Sequence, residues 1–356
     1  MKIKKLLTAQ AKPGMVIAND IYDESGMLII PKETILDKSI IMKMEKYSVF
    51  ILKVFQEDED VQKESEGFYE KLTSSEEFEQ FGEEFGKSTN RLRNEFNQIV
   101  SKKATNLDQD KMLDVVNRII DSNKNNYHML DMLNCMRGYD DLTYIHCINV
   151  ALICNMMAEW LGYSKEKTDE LTMAGLLHDI GKVKIPKDII TKPGKLNDDE
   201  YEVVKYHPKL SYEILRETNL SEGVKKAVLM HHERYDGSGY PFKLKGNDIS
   251  ETARIVAIAD VYDAMTANRV YRKGICPFEV IEYFQNQISV YDPQFLLEFL
   301  EHTAQTYVGN KVQLSNGEVG KVAMINKQDI GRPVVLVGDK ALNLSIQTDI
   351  KVKKMM

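Results

Sequence analysis

Histidine and aspartate side chains gather in the middle of the chain, beside apolar segments. Five of the seven histidines lie between residues 146 and 232, and His178-Asp179 directly follows the apolar segment Met173–Leu177. Burying an imidazole and a carboxylate costs free energy unless each finds a partner, and a metal ion is one such partner. One His-Asp pair is weak evidence, because a buried histidine is more often held by hydrogen bonds alone.

Further residues of the same types follow the same pattern. His146 lies on an earlier amphipathic helix, and Asp260 directly follows the apolar segment Ile255–Ala259. His207 lies on a later helix, and His231-His232 come where another helix is expected to end. Helical folds build metal sites from side chains on converging helices. A mixed nitrogen and oxygen donor set suits a first-row transition metal, Fe or Mn, better than Mg or Ca.

Apart from His146, these residues belong to five motifs, and the whole pattern covers about residues 137–290. The motifs are His178-Asp179-Ile180-Gly181-Lys182, His207-Pro208, His231-His232-Glu233-Arg234-Tyr235-Asp236-Gly237-Ser238-Gly239-Tyr240-Pro241, Ala259-Asp260-Val261-Tyr262-Asp263-Ala264-Met265-Thr266 and Arg269-Val270-Tyr271-Arg272. In these motifs the chain resembles the HD-GYP family, a branch of the HD phosphohydrolase superfamily. The resemblance implies that its substrate is the bacterial messenger cyclic di-GMP, which is cleaved to linear pGpG. Whether a second cleavage to GMP follows stays open.

The resemblance also implies two divalent metals, expected to be Fe or Mn. One would be held by His146, His178, Asp179 and Asp260, and the other by Asp179, His207, His231 and His232, so that Asp179 bridges both. Two cations roughly 3.5–4 Å apart activate a hydroxide and neutralise the phosphodiester. Some family members hold a third metal through a Glu one turn before the first His. Leu142 stands there, which predicts a dinuclear site and a slow second cleavage.

Four more residues take expected roles from the resemblance. Lys182 would contact the scissile phosphate, and the Tyr240 hydroxyl would bind substrate phosphate. Arg269 and Arg272 would bind phosphate or guanine, as arginine does in bidentate pairs. The alternative for Lys182 is a lysine that interacts favourably with the dipole at a helix C-terminus. The alternative for Arg269 and Arg272 is an exposed surface pair. Val270 replaces the usual Pro of this motif.

Three other functions remain open beside the metal-dependent phosphodiesterase. The chain could bind cyclic di-GMP or a protein partner without turnover, although the intact ligand set argues against this. It could hydrolyse another nucleotide, including a hybrid cyclic dinucleotide. An HD-type diiron oxygenase would act on a substrate without phosphate, which the Lys and Arg residues of the motifs argue against.

The composition and charge are those of a globular protein. The 356 residues are 43% hydrophobic and 28% charged, with a net charge of −7. Residues 57–87 alone carry twelve acidic and three basic residues, so this segment has a charge of −9 and the rest of the chain +2. This balance excludes bulk nucleic-acid binding. No apolar run reaches the roughly 18 residues of a membrane span, and a cytoplasmic location is expected.

The predicted fold is mainly α: a helical HD-domain bundle around a dinuclear site, with small terminal modules. We divide the chain into an N-terminal α/β module (1–56), an acidic helical linker (57–107), the catalytic domain (108–306) and a C-terminal β module (307–356). Ser164, Asn197, Ser221 and Ser250 are predicted helix N-caps, and Asn197 with Glu200 forms a capping box. Strands are predicted over Met15–Tyr22 and Ile346–Val352, with a hairpin at Asn316-Gly317.

The linker carries apolar residues at the spacing of one helix face. They are Phe78, Phe81, Phe85, Leu92, Phe96 and Ile99. Such a helix either packs on its own domain or forms a coiled coil that joins two chains in a homodimer, although the heptads are few.

Overall fold

The computed structural model describes residues 2–23, 26–56, 72–102, 105–123, 129–136, 142–192, 194–267 and 274–356. Its helices are α1 (Lys38–Lys46), α2 (Glu76–Lys102), α3 (Gln109–Ser122), α4 (Met129–Cys135), α5 (Leu142–Trp160), α6 (Lys165–Leu177), α7 (Lys187–Ile190), α8 (Asp198–Lys205), α9 (His207–Leu215), α10 (Glu222–Met230), α11 (Glu251–Thr266), α12 (Pro277–Asn286) and α13 (Pro293–Thr306). Its strands are β1 (Lys2–Leu7), β2 (Val16–Ile17), β3 (Ile21–Tyr22), β4 (Leu28–Ile30), β5 (Ile51–Gln56), β6 (Lys311–Leu314), β7 (Val319–Met324), β8 (Val334–Val337), β9 (Lys340–Asn343) and β10 (Val352–Met355). The predicted mainly α class with terminal sheets is confirmed.

The N-terminal module is built on an antiparallel sheet of order β1-β5-β2. The single strand predicted over Met15–Tyr22 is wrong, because its two halves pair with different partners: β2 with β5, and β3 with β4. The chain bends between them. The Ala18 N–H donates to the Lys53 carbonyl at 2.8 Å, and the Asp20 carboxylate accepts the Lys32 N–H at 2.7 Å.

The apolar side of α2 is buried inside the chain itself, from Phe78 to Ile99. Phe85 packs edge-on against Phe50 of the N-terminal module, with ring centroids 5.6 Å apart. Gly86 permits this approach, because a Cβ there would lie 2.4 Å from the Ser48 carbonyl oxygen. The packing favours a helix that serves its own domain, and the homodimer stays a prediction.

The centre of the helical bundle is the pair α5 and α6, and α11 packs against both. Gly175 on α6 permits the close contact, because a Cβ there would lie 2.8 Å from Ala151 Cα on α5. Most side chains of α11 between Ile255 and Asp263 are buried, which places Asp260 within the bundle. Among the described residues, no helix is both long enough and apolar enough to span a lipid bilayer.

All four predicted N-caps are present, and each side chain accepts a backbone N–H of its own helix: Ser164, Asn197, Ser221 and Ser250. Asn197 and Glu200 complete the predicted capping box. The caps fix where these helices begin, since they satisfy N–H groups that the helix cannot pair itself. The helices α6, α8 and α10 end beside the histidines of the motifs.

The C-terminal module is an antiparallel sheet of order β10-β6-β7-β8-β9. The predicted hairpin at Asn316-Gly317 is confirmed between β6 and β7. The strand predicted over Ile346–Val352 is wrong except for its last residue. The N–H groups of Ile346 and Gln347 both bond to the Asn343 carbonyl, at 3.1 and 3.0 Å, so they close turns and are not available for a sheet.

Side chains of α2, the helical bundle and the C-terminal sheet form one hydrophobic cluster, whereas most of the N-terminal module keeps a small cluster of its own. Asn310 donates to the buried Asp131 of α4 at 3.2 Å, and Arg332 pairs with Glu282 of α12 at 2.8 Å. The division into four parts stays a prediction. Residues 24–25 and 57–71 lie outside the described ranges.

If α2 belongs to the core, Phe85→Ala destabilises the chain by about 3–5 kcal/mol, the usual cost of emptying a buried phenylalanine site. Urea unfolding followed by circular dichroism measures this change. Glu83→Ala, at an exposed position of the same helix, is the control and shifts stability by less than about 0.5 kcal/mol. Equal effects of the two variants would contradict the buried position of α2.

Candidate metal centre

Five helices bring the histidines and aspartates of the motifs to one place. The residues are His146 on α5, His178 and Asp179 after α6, His207 at the start of α9, His231 and His232 after α10, and Asp260 on α11. All of them are buried except His146 and His232, which are partly exposed. They form three overlapping groups in which one nitrogen or oxygen per residue lies within 4.8 Å of the others.

The turn after α6 is held against α9 by a glycine and a serine. A Cβ on Gly181 would lie 2.3 Å from the His207 carbonyl oxygen, so only glycine fits there. The Ser211 hydroxyl accepts the Gly181 N–H and donates to the His178 carbonyl, both at 2.9 Å. This contact fixes the distance between the His178-Asp179 pair and His207. The sequence analysis did not single out Ser211.

Three of the histidines are oriented by a backbone carbonyl three residues earlier in the chain. In each, Nδ1 donates to the carbonyl three residues earlier: His178 to Gly175 at 2.7 Å, His207 to Val204 at 2.6 Å and His231 to Val228 at 3.0 Å. A carbonyl can only accept, so Nδ1 carries the proton. In the neutral ring Nε2 then keeps a free lone pair, and it points into the centre.

The Nε2 atoms face each other in two pairs. Those of His146 and His178 are 3.3 Å apart, and those of His207 and His231 are 3.2 Å apart. In the His207–His231 pair both Nε2 atoms carry a lone pair, and two lone pairs at this distance repel each other unless a cation lies between them. Ligand atoms about 2.1 Å from one metal are about 3.0–3.4 Å apart at right or tetrahedral angles. The two pairs therefore fit metal binding.

Asp179 joins the two pairs. Its Oδ2 lies 3.2 Å from His178 Nε2, and its Oδ1 lies 3.0 Å from His207 Nε2. Lys182 makes an ion pair with Oδ2, whereas Oδ1 finds no hydrogen-bond donor in the described part of the chain. Burial opposes ionisation of Asp179, but His178 and Lys182 hold the pKa of its carboxyl well below the usual range. A buried, ionised oxygen without a donor is a further position for a cation.

Asp260 and Asp263 hold His146 from two sides. Asp260 Oδ1 lies 3.0 Å from His146 Nε2, and its Oδ2 lies 3.7 Å from His232 Nδ1. Asp263 accepts the Nδ1–H of His146 at 2.7 Å and an N–H of Asn149 at 2.9 Å. The sequence analysis gave Asp263 no role, although its position three residues after Asp260 puts both on one helix face.

The protonation of the histidines also suits metal binding. Burial lowers the pKa of His231 and of His232, so both rings are neutral and can donate a lone pair. Burial would also lower the pKa of His146, but Asp260 and Asp263 outweigh it and raise that pKa to about 9. A cation that binds Nε2 of His146 must therefore displace a proton from it.

The residues expected to touch a substrate are only partly described. The Tyr240 ring stacks on His232 with centroids 4.7 Å apart, and its N–H donates to the His232 carbonyl at 3.2 Å. Burial raises the pKa of its hydroxyl, which stays neutral. Lys182 lies at the centre, on Asp179. Arg269 and Arg272 lie outside the described residues.

The loop that carries Tyr240 is tied to the centre by Glu233, another residue without a role in the sequence analysis. The buried Glu233 carboxylate accepts the N–H of Phe242 at 2.7 Å and the N–H of Leu244 at 3.0 Å. Gly239 lets the loop fold back, because a Cβ there would lie 2.3 Å from the Arg234 nitrogen. Because Glu233 follows His231-His232 directly, its two hydrogen bonds link the loop to this histidine pair.

Comparisons with known proteins agree with this arrangement. A family model described as HD domain matches residues 114–295, just over half of the chain. The chain is 37% identical over 203 residues to the cyclic di-GMP phosphodiesterase PA4108 of Pseudomonas aeruginosa, covering 57% of this chain and 49% of that protein. It is 34% identical over 191 residues to the 3'3'-cGAMP-specific phosphodiesterase 2 of Vibrio cholerae, covering 52% and 37%. The chain thus spans half or less of the length of these relatives.

A solved structure described as Bd1817, a HDG"Y"P protein from Bdellovibrio bacteriovorus, has a similar fold. The TM-score is 0.55, and the match covers 84% of this chain and 98% of that one. The sequence identity is 15%, so this likeness concerns the fold alone.

If Asp179 joins two metal positions, Asp179→Asn loses at least one of about two bound metals per chain, because an amide nitrogen cannot take the place of the second oxygen. Elemental analysis of protein loaded anaerobically with Mn(II) measures the stoichiometry. Asp236→Asn, in an exposed part of the loop, is the control and keeps the wild-type content. If Asp179→Asn still bound about two metals per chain, Asp179 would not be the carboxylate that joins the two metal positions.

If Glu233 ties the loop, Glu233→Gln lowers the free energy of unfolding by about 1–3 kcal/mol, because the new amide group places its own N–H against a backbone N–H. Thermal and urea unfolding measure the change. Glu217→Gln, with a side chain that is 77% exposed, is the control and has no measurable effect. If Glu233→Gln left the free energy of unfolding unchanged, the two hydrogen bonds from Glu233 to the loop backbone would not be needed for stability.

Proposed function

The chain belongs to the HD domain family, and from this premise we propose that it hydrolyses cyclic di-GMP to linear pGpG. One observation carries the proposal: a buried aspartate lies between two pairs of histidine nitrogens, which is the arrangement that a two-metal phosphodiesterase requires. The names of its relatives support the substrate, since several are cyclic di-GMP phosphodiesterases.

We propose that two divalent transition metals, Fe or Mn, are held by seven side chains. His146, His178, Asp179 and Asp260 form the first set, and Asp179, His207, His231 and His232 form the second. When bound, the two cations supply a water of lowered pKa and neutralise the phosphodiester charge. Nitrogen and carboxylate donors together suit Fe or Mn.

The remaining residues bind and orient the substrate. The Lys182 ammonium makes an ion pair with Asp179 Oδ2. Burial opposes its charge, but the Asp179 carboxylate outweighs burial and raises the pKa of Lys182, so the ammonium stays charged. From this position Lys182 pairs with the scissile phosphate and donates a proton toward the leaving 3′-oxygen. Tyr240 offers a neutral hydroxyl to a phosphate oxygen. Arg269 and Arg272 are proposed to bind the second phosphate or a guanine.

The rings and the loop keep this arrangement fixed. Asp263 holds the His146 ring through Nδ1, so that Nε2 stays directed at the centre. Glu233 holds the backbone on which Tyr240 lies. Fixed partners of this kind reduce the reorganisation that the reaction requires. We therefore expect the residues around the ligands to affect the rate nearly as strongly as the ligands themselves.

A hybrid cyclic dinucleotide is the second candidate substrate. The specific observation in its favour is the Vibrio cholerae relative, whose name specifies 3'3'-cGAMP. Both substrates present a cyclic pair of phosphodiesters and differ in one purine base. The choice between them is therefore a question of base recognition away from the metals.

The product, the location and the assembly are further parts of the proposal. Leu142, where α5 begins, stands where some family members have a metal-binding Glu, so we propose a dinuclear site and a slow step from pGpG to GMP. A cytoplasmic location and a homodimer through residues 57–107 stay predictions.

The direct test is a chromatographic time course of cyclic di-GMP with protein purified without oxygen and loaded with Fe(II) or Mn(II). We expect pGpG to accumulate, with GMP appearing more slowly. Asp179→Ala lowers the rate on the order of a thousandfold, because several kcal/mol of charge stabilisation in the transition state are lost. Metal removal by a chelator has the same effect.

Asp248→Ala, at an exposed position near the loop, serves as the control and keeps the wild-type rate. Parallel reactions with 3'3'-cGAMP rank the two substrates by kcat/KM. Protein that holds both metals and turns over neither cyclic dinucleotide would overturn the proposed function. Rapid conversion of pGpG to GMP would contradict the dinuclear part alone.

A further inference from the structure

Three exposed aromatic side chains alternate with two lysines on the surface next to the metal centre. Tyr201 lies on α8, Tyr206 between α8 and α9, and Phe242 in the loop after Tyr240; they are 50%, 54% and 51% exposed. Lys205 Nζ lies 5.5 Å from the ring centroid of Tyr201. Lys209 Nζ lies 5.4 Å from that of Tyr206 and 5.6 Å from that of Phe242. We call these five residues the aromatic–lysine surface.

This surface is continuous with the centre. Lys205 Nζ also lies 5.6 Å from the centroid of Tyr240, whose ring stacks on His232. The backbone of Phe242 is anchored to the interior, because its N–H donates to the buried Glu233 carboxylate. A ligand whose phosphodiester lies at the metal ligands and that extends past Tyr240 therefore reaches the exposed rings.

The three rings are not required for the core. About half of each side chain faces solvent, so little apolar area would be lost by truncation. Lys205 also pairs with Glu202 at 2.7 Å, but the Glu202 side chain is 68% exposed and such a pair contributes little. The surface thus offers flat aromatic faces and cations that a ligand can use.

Aromatic rings interleaved with cations are suited to nucleotides. Bases stack on aromatic side chains whatever their sequence, because every base has a π face, and lysines compensate the phosphate charge. An acidic peptide would use the lysines but would leave the rings without a partner. The combination favours a ligand that carries both a base and a phosphate.

We propose that the aromatic–lysine surface binds the nucleobase of a cyclic dinucleotide that lies away from the phosphodiester being cleaved. This rests on the proposed function, because the cleaved phosphodiester must lie at the metal centre. Stacking accepts guanine and adenine alike, so the surface sets the affinity for purine cyclic dinucleotides in general. The base is held equally before and during the reaction, so its loss raises KM and leaves kcat unchanged.

The test variant is the double substitution Tyr206→Ala/Phe242→Ala in the full chain loaded with Mn(II). We expect KM for cyclic di-GMP to rise about tenfold, which corresponds to about 1.4 kcal/mol, with kcat within about twofold of wild type. Methyl 4-nitrophenyl phosphate, a diester without a nucleobase, is hydrolysed at the wild-type kcat/KM. Calorimetry with a phosphorothioate analogue of cyclic di-GMP gives the same loss as a Kd, independently of turnover.

Two control variants separate stacking from general damage. Tyr206→Phe/Phe242→Tyr keeps both rings and the wild-type KM, and Tyr22→Ala removes an equally exposed ring, 55% exposed, from the N-terminal module without effect. An unchanged KM in the Tyr206→Ala/Phe242→Ala variant would show that the aromatic–lysine surface does not bind the nucleobase, and would leave the proposed function unaffected. Wild-type protein that binds the analogue through this surface without hydrolysing cyclic di-GMP would support the surface and overturn the hydrolysis. Protein that neither binds nor hydrolyses it overturns both.

Discussion

A carboxylate shared between two pairs of imidazole nitrogens, out of contact with water, is the interaction on which the rest of this structure depends. Asp179 is fully buried and ionised, and in the described part of the chain its Oδ1 has no donor. Such a group destabilises a protein unless positive charge lies beside it. Lys182 supplies part of that charge, and the geometry of the nitrogen atoms fits cations that would supply the rest.

The helix ends around Asp179 place histidine nitrogens beside its buried carboxylate. Three histidines donate an Nδ1–H hydrogen bond to the carbonyl three residues earlier, which leaves Nε2 free to serve as a ligand atom. N-caps fix where α6, α8 and α10 begin, and Gly181 packs the turn after α6 closely on α9. Local capping thus places the helix starts, and packing between distant segments brings the histidines together.

A second layer of side chains connects the centre to the surface. Asp263 orients the His146 ring, and Glu233 holds the loop that leads from His231-His232 to Tyr240 and Phe242. Beyond Tyr240 the chain presents rings and lysines to solvent. The inside of the site therefore holds charged groups, and its rim presents flat aromatic rings. A nucleotide has the same two parts, a charged phosphate and a flat base.

The sequence by itself determined the class of fold, the helix starts and the residue types of the centre, because caps, apolar segments and motifs are local and depend on neighbours in the chain. Only the tertiary structure decided which oxygen of Asp179 faces which ring, that Asp263 holds His146 across 117 residues, and that Glu233 holds the loop. It also decided that α2 is buried and that the strand predicted over Met15–Tyr22 is divided between two partners. These outcomes depend on contacts between distant segments, whose geometry no local pattern encodes.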